Sequence, residues 1–227
     1  MAAMLPPTTT DPTATTHITL IRHGETAWNA DRRLQGHLDI GLNERGLAQA
    51  RALATALATT PFDAVLASDL QRAWQTAEAL ASGRGLTVLQ DAALRERGYG
   101  SFEGLLYADI EAAYPVEYAA WQARDTDAVM PAGTRVAESF RQFYQRAVAA
   151  IMAAAARHPG GSIAIVAHGG VLECAYRAAR GLALDTPRDF AVLNCSINRF
   201  SVSGGVLALH AWGEVAHLQP ATLDELP

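Results

Sequence analysis

Twice in this chain an apolar run ends in a histidine followed by glycine. Leu20-Ile21-Arg22-His23-Gly24 lies near the start, and Ile163-Ala164-Ile165-Val166-Ala167-His168-Gly169-Gly170 lies far downstream. Apolar runs of this kind read as strands. Two such His-Gly ends can meet only if their strands lie side by side in one sheet. In a parallel α/β sheet the ligand crevice forms at that carboxyl-terminal edge. Two imidazoles and an arginine facing one crevice suit one ligand above all, a phosphate.

The rest of the pattern supports that sheet. The spacing predicts strands over 17–21, 64–67, 86–89 and 162–167. Helices are expected over 43–58 (apolar face Leu47, Ala50, Leu53, Ala54, Leu57; N-cap Asn43), 69–82, 136–158 and 170–180. One or two short helices fall in 107–124, split at Pro115, and 125–135 reads as loop. Two or three strands follow within 191–212, around a Gly204-Gly205 turn. Alternating strands and helices with an antiparallel-leaning end give a three-layer α/β/α sandwich with a central, mostly parallel sheet. Residues 1–16 are rich in Thr, Pro and Ala and are expected to form a flexible tail. Residues 17–227 are expected to form a single domain, large enough to bury roughly 70–75% of its unfolded surface.

Composition narrows the partners. The 227 residues carry a formal net charge of -5. A broad basic surface for nucleic acid is therefore not expected, and an anionic substrate needs cations gathered locally. No apolar run is long enough to span a membrane, and no cationic segment leads an apolar one at the N-terminus. The expected compartment is the cytoplasm. Cys174, in a helical pattern, and Cys195, in a strand-like run, read as reduced core thiols. His37, His158, His210 and His217 are scattered singly, so neither a metal site nor a cofactor is expected.

Further segments carry a resemblance. They are Arg22-His23-Gly24-Glu25-Thr26, Ser68 to Ala73 with Gln75-Thr76-Ala77, Leu94-Arg95-Glu96, Gly100-Ser101-Phe102-Glu103-Gly104, and His168-Gly169-Gly170. In this order they resemble the histidine phosphatase superfamily, in its phosphoglycerate-mutase-like branch, and especially the bacterial mutase-like phosphatases. The resemblance runs from about Ile18 to the C-terminus and includes Leu223-Asp224-Glu225-Leu226.

The residues and the resemblance together assign roles. His23 is the candidate nucleophile: a neutral imidazole can attack phosphorus and carry the phosphoryl group. Its other ring nitrogen must then donate to a fixed acceptor. Arg22 and Arg72 form the expected clamp on the phosphoryl oxygens. The resemblance makes His168 a second stabiliser of that charge and Glu96 the proton donor to the leaving oxygen. From local sequence alone, Glu96 reads equally well as an exposed partner of Arg95 and Arg97, and Glu25 and Glu103 are rivals for the acid role. Thr26, Asn29, Gln35, Gly36, Tyr99 and Gly169 complete the expected substrate pocket. Trp28 reads as packing, and Arg32 and Arg33 as rim or solvent residues.

Phosphatase and mutase share this core. Mutases of the family hold a doubly anionic substrate with extra cations. Where they carry a lysine, Tyr107 stands here; where they carry an Arg-Arg pair, Gln122-Ala123; where they carry Asn after the second His-Gly, Gly170. The resemblance therefore implies a metal-independent phosphomonoesterase acting on a small phosphorylated metabolite, with a phosphoglycerate mutase second and a non-catalytic phospholigand-binding protein third. A homo-oligomer stays open. Gly133-Thr134-Arg135 departs from both groups' Gly-Glu-Ser.

Overall fold

The computed structural model describes residues 14–218. Most of the expected N-terminal tail, and the Leu223–Leu226 ending, lie outside them. Six strands form one sheet. In chain order the elements are β1 (Thr16–Arg22), α1 (Ala27–Ala30), α2 (Glu44–Ala56), β2 (Ala64–Ala67), α3 (Gln71–Ala81) and β3 (Val88–Gln90). Then come α4 (Tyr107–Ala113), α5 (Pro115–Gln122), α6 (Phe140–Ala156), β4 (Ser162–Ala167), α7 (Gly169–Arg180), β5 (Ile197–Ser203) and β6 (Val206–Glu214). The strand order is β3-β2-β4-β1-β5-β6. The first four of these strands are parallel; β5 pairs antiparallel with β1, and β6 antiparallel with β5.

The sheet is covered on both faces, as its apolar strands require. Alternate residues of β1 point to opposite layers. Ile18 and Leu20 pack with Phe143 and Ile151 of α6 and Leu172 of α7. Ile21 packs with Leu53 of α2 and Ala73, Ala77 and Leu80 of α3. This is the three-layer sandwich. A smaller cluster of Leu34, Phe102, Ile110 and Met130 carries α4 and α5 beside it.

Three expectations are corrected. Leu47 is 40% exposed; Gly46 and Gln49 are buried in its stead, because α2 presses on the Glu25 backbone. A Cβ at Gly46 would lie 2.0 Å from the Glu25 carbonyl oxygen, and Gln49 accepts from the Glu25 N–H at 2.8 Å. The long helix starts at Phe140, not Val136. Ser139 and Gln142 form a capping box there, while Ala137 pairs with Tyr99 instead. Cys195 sits in a turn before β5 rather than in a strand. Both cysteines are buried and free.

Candidate active site

The register of β1 on β4 builds the site. Arg22 lies opposite Ala167, and the His23 N–H donates to the Ala167 carbonyl at 2.9 Å. His23 and His168 therefore leave the sheet edge together, ring centroids 5.2 Å apart. The loop before β5 fixes the same edge from the other side. Asn194 Nδ2 donates to the His23 carbonyl at 2.8 Å, and the Cys195 N–H donates to the Arg22 carbonyl at 3.0 Å.

The two rings are held differently. His23 Nδ1 lies 2.6 Å from the Gly24 carbonyl oxygen. A carbonyl only accepts, so Nδ1 carries the hydrogen and Nε2 the lone pair. His168 Nδ1 faces Arg72 Nε at 3.2 Å. A guanidinium only donates, so here Nδ1 is the lone pair and Nε2 carries the hydrogen. That buried Nε2 has no protein partner. Burial, then Arg72 and Arg22, hold the His23 ring well below the ordinary histidine range. Burial and Arg72 do the same to His168. Both rings are neutral at pH 7.

Arg72 enters from the first turn of α3 and is buried. Besides His168 it donates to the Leu38 carbonyl (2.9 Å) and the Gly36 carbonyl (2.8 Å). Burial pulls its pKa down to about 10, so it remains cationic at neutral pH. One turn on, Thr76 accepts from the Gly24 N–H at 3.0 Å and donates to the Arg72 carbonyl at 2.8 Å. Arg22, also buried, donates to the Val192 carbonyl at 2.6 Å.

Glu96 reaches the same place from the loop after β3. Its Oε1 accepts from the Arg97 N–H at 2.8 Å and its Oε2 from the Gly170 N–H at 3.0 Å. The latter is one of the donors that a helix N-terminus leaves without an intrahelical partner. A Cβ at position 170 would lie 2.2 Å from Glu96 Oε1; glycine makes this placement possible. The segment is braced from behind by Arg146 of α6. Arg146 donates to the carbonyls of Ala93, Arg95 and Glu96 and to both carboxylate oxygens of Glu138. His37 Nε2 donates to the Glu96 carbonyl at 2.8 Å.

These groups line one cavity of about 470 Å³. Arg22, His23, Asn29, Gln35, Gly36, Arg72, Glu96, Tyr99 and Gly169 all face it. Thr26 does not. It caps α1, and its hydroxyl lies 3.1 Å from the side-chain oxygens of both Asn29 and Gln35, with one hydrogen to donate to either; it is a support behind two lining amides. His168 is likewise absent from the lining, buried with its ring beside that of His23. Glu25 is tied to Asn43 and Arg45, and Glu103 accepts from the His37 and Tyr99 N–H groups; neither lines the cavity. Trp28, Arg32 and Arg33 do, with the Arg33 guanidinium over the Trp28 ring at 5.5 Å. Gly133-Thr134-Arg135 stays outside the lining, Arg135 bonding the Glu103 carbonyl.

The sequence reading missed Arg124, Glu173 and Arg188 on the outer wall. Glu173 could have been found, since it lies one helical turn from Gly169. Backbone strain also marks the site. Among the described residues the non-glycine positions with positive φ are Arg32 (53°), Arg124 (56°) and Cys195 (52°). The first two line the cavity and the third holds the β1 end, as expected where strain is retained for a ligand site.

The model of the histidine phosphatase superfamily (branch 1) matches residues 18–215. The chain belongs to this superfamily. Within it, phosphoglycerate mutase-like protein 4 of Arabidopsis thaliana is 38% identical over 205 residues, 89% of this chain and 86% of that one. A metal-independent phosphoserine phosphatase of the same plant is 35% identical, covering 89% and 83%. The solved structure of Bacillus stearothermophilus YhfR superposes with a TM-score of 0.81 at 33% identity, over 89% of this chain and 98% of that one. The chain is thus a phosphatase- or mutase-like enzyme with the histidine phosphatase fold. Among the described residues, no helix is long and apolar enough to cross a membrane, and no three His, Cys, Asp or Glu side chains are grouped to hold a metal ion.

Proposed function

We propose that this enzyme is a metal-independent phosphomonoesterase that moves a phosphoryl group from a small phosphorylated metabolite to His23 and then to water. The observation that carries the reading is the pair of opposed tautomers: a neutral ring with its lone pair on Nε2, beside a buried ring whose Nε2–H lacks an acceptor. An unpartnered buried donor needs an acceptor, and an oxygen of a phosphoryl group on His23 supplies one.

The steps follow. His23 Nε2 forms a bond to phosphorus as the ester P–O bond breaks, and Glu96 gives its proton to the leaving oxygen. Arg22 and Arg72 match the equatorial oxygens, where positioning and charge stabilisation supply most of the catalysis. Asn29, Gln35 and the α7 start at Gly169 hold the same group. Water then attacks phosphorus, Glu96 takes its proton, and the P–N bond breaks. Hydrolysis is favoured over mutase transfer because Tyr107 and Gln122 line the cavity at positions where the resemblance gives the mutases cations.

The test is phosphate release from an aryl phosphate with chelator present, for wild type and His23→Ala together. Turnover that survives chelator and vanishes in the variant, whose melting temperature stays near wild type, is the expected result. Interconversion of phosphoglycerates outpacing phosphate release would replace this reading with the mutase.

A further inference from the structure

His23 and His168 leave strand ends and Arg72 leaves a helix, but Glu96 sits on irregular chain. It lies between two 3₁₀ turns, Ala92–Leu94 and Gly100–Phe102, and no α-helix follows until Tyr107. A proton donor must meet the leaving oxygen at hydrogen-bond distance, and a misplacement of about 1 Å can cost 10²-fold in rate. A carboxyl group on such a segment therefore needs its backbone fixed from outside.

Arg146, in the second turn of α6, supplies that fixation. A guanidinium offers five N–H donors in a rigid fork, and here every one is engaged on the acid-bearing segment or its strut. Nη1 donates to the carbonyls of Ala93 and Arg95, each at 2.9 Å. Nη2 donates to the Glu96 carbonyl at 3.0 Å and to Glu138 Oε2 at 2.6 Å, and Nε to Glu138 Oε1 at 2.7 Å. Glu138 Oε2 in turn accepts from the Gly98 N–H at 2.9 Å. One side chain thus holds the backbone on both sides of Glu96. Burial alone would raise the Glu138 carboxyl, yet Arg146 and the Gly98 N–H hold it below its usual value, so the pair stays ionised at neutral pH. The Arg146 guanidinium also lies over the Phe143 ring at 5.1 Å. That ring packs beneath Gly170, where a Cβ would come within 2.8 Å of it, and the Gly170 N–H holds the Glu96 carboxylate itself. The same helix face therefore supports the acid at its backbone and at its tip. Arg146 does not line the cavity.

We propose that Arg146 is a positioning residue for the proton donor: acting through the backbone around Glu96, it places that carboxyl against the leaving oxygen without touching substrate. This rests on the phosphomonoesterase reading above, in which Glu96 gives the proton. Its effect must then scale with how much the leaving group needs a proton. An alkoxide leaves only with one, whereas a nitrophenolate leaves without.

The test measures kcat/KM on glycerol phosphate and on 4-nitrophenyl phosphate with the whole protein, and takes the ratio of the two. Glu96→Gln should lower the ratio by about 10²-fold, the scale of a lost general acid. Arg146→Lys keeps the charge but gathers its donors on one nitrogen, and should lower the ratio by roughly tenfold or more. The Glu96→Gln/Arg146→Lys double variant should fall no further than Glu96→Gln, since one residue acts through the other. Glu138→Gln, which loosens the same fork while keeping its shape, should move the ratio in the same direction and carries the test if Arg146→Lys fails to fold. Ile151→Ala, buried under the same helix, should lower the melting temperature and leave the ratio unchanged. Equal losses on both esters in the Arg146 and Glu138 variants, or additive losses in the double variant, overturn the positioning role alone. A ratio unmoved by Glu96→Gln, or no turnover of either ester by wild type, sinks the reading on which it rests and the positioning role with it.

Discussion

His23 follows β1 and His168 follows β4, in register and 5.2 Å apart. Both are flanked by glycine, buried and neutral. Yet one Nδ1 meets a carbonyl that can only accept, and the other meets a guanidinium N–H that can only donate. The same local sequence thus presents a lone pair at one strand end and a hydrogen at the other. The difference is imposed from outside the repeated device: Arg72 reaches His168 across 96 positions of sequence, while His23 uses the glycine beside it. Role follows the partner of the second nitrogen, not the strand that delivers the ring.

The comparison breaks most sharply under asparagine. An amide offers an N–H donor but no nucleophilic lone pair. His23→Asn should therefore have no detectable turnover. His168→Asn should retain much of what His168→Ala loses, and His168→Ala should cost about 10²–10³ in kcat, the scale of one missing charge-stabilising donor. Steady-state rates on an aryl phosphate decide it. Equal loss in His168→Asn and His168→Ala would mean that His168 does not act as a donor.

Arg72→Lys is the next test. Lysine keeps the charge but cannot reach His168 and two carbonyls at once from a rigid fork. A loss of about tenfold to 10² in kcat is expected, together with a change in the ¹⁵N shifts of His168 as its tautomer is released. A lysine variant with wild-type rate and unchanged shifts would reduce Arg72 to a point charge and leave the tautomer of His168 unexplained.

The strand ends were legible because burial on both faces forces continuous apolar runs, and β1, β2 and β4 stand where those runs do. The helix caps were half legible. Asn43 caps α2 as expected, but Ser139-Phe140-Arg141-Gln142 was passed over, since the apolar period runs on through Val136 and Ala137. Those residues are drawn to the acid-bearing loop: the Gly100 N–H bonds the Val136 carbonyl, and the Glu138 N–H bonds the Gly98 carbonyl. Periodicity cannot distinguish such a long-range pairing from another helical turn. The same holds at the site. Residues inside short motifs could be named from sequence, with the resemblance supplying the roles of His168 and Glu96. Arg146, Arg188 and the proton on His168 depend on segments that only the fold brings near.

The smallest effect sharpens the comparison by removing it. Both rings are held neutral, so both pKa values lie below that of the unfolded chain, about 6.5. Below that pH the unfolded state binds more protons than the native one. Stability is therefore fully present well above pH 6.5 and falls as the pH drops through that value toward the folded ones, the slope approaching about 1.4 kcal/mol per pH unit for each ring only once the unfolded histidine is fully protonated. Half-buried His217, lowered in the same direction, adds to the trend. Urea unfolding between pH 6.5 and 5.5 should show this decline, and His23→Asn and His168→Asn should each flatten it by the same amount. Folding then treats the two histidines as equals, whereas turnover does not. Unequal flattening would show that one ring is charged in the native state, and would remove the neutral pair on which the division of roles depends.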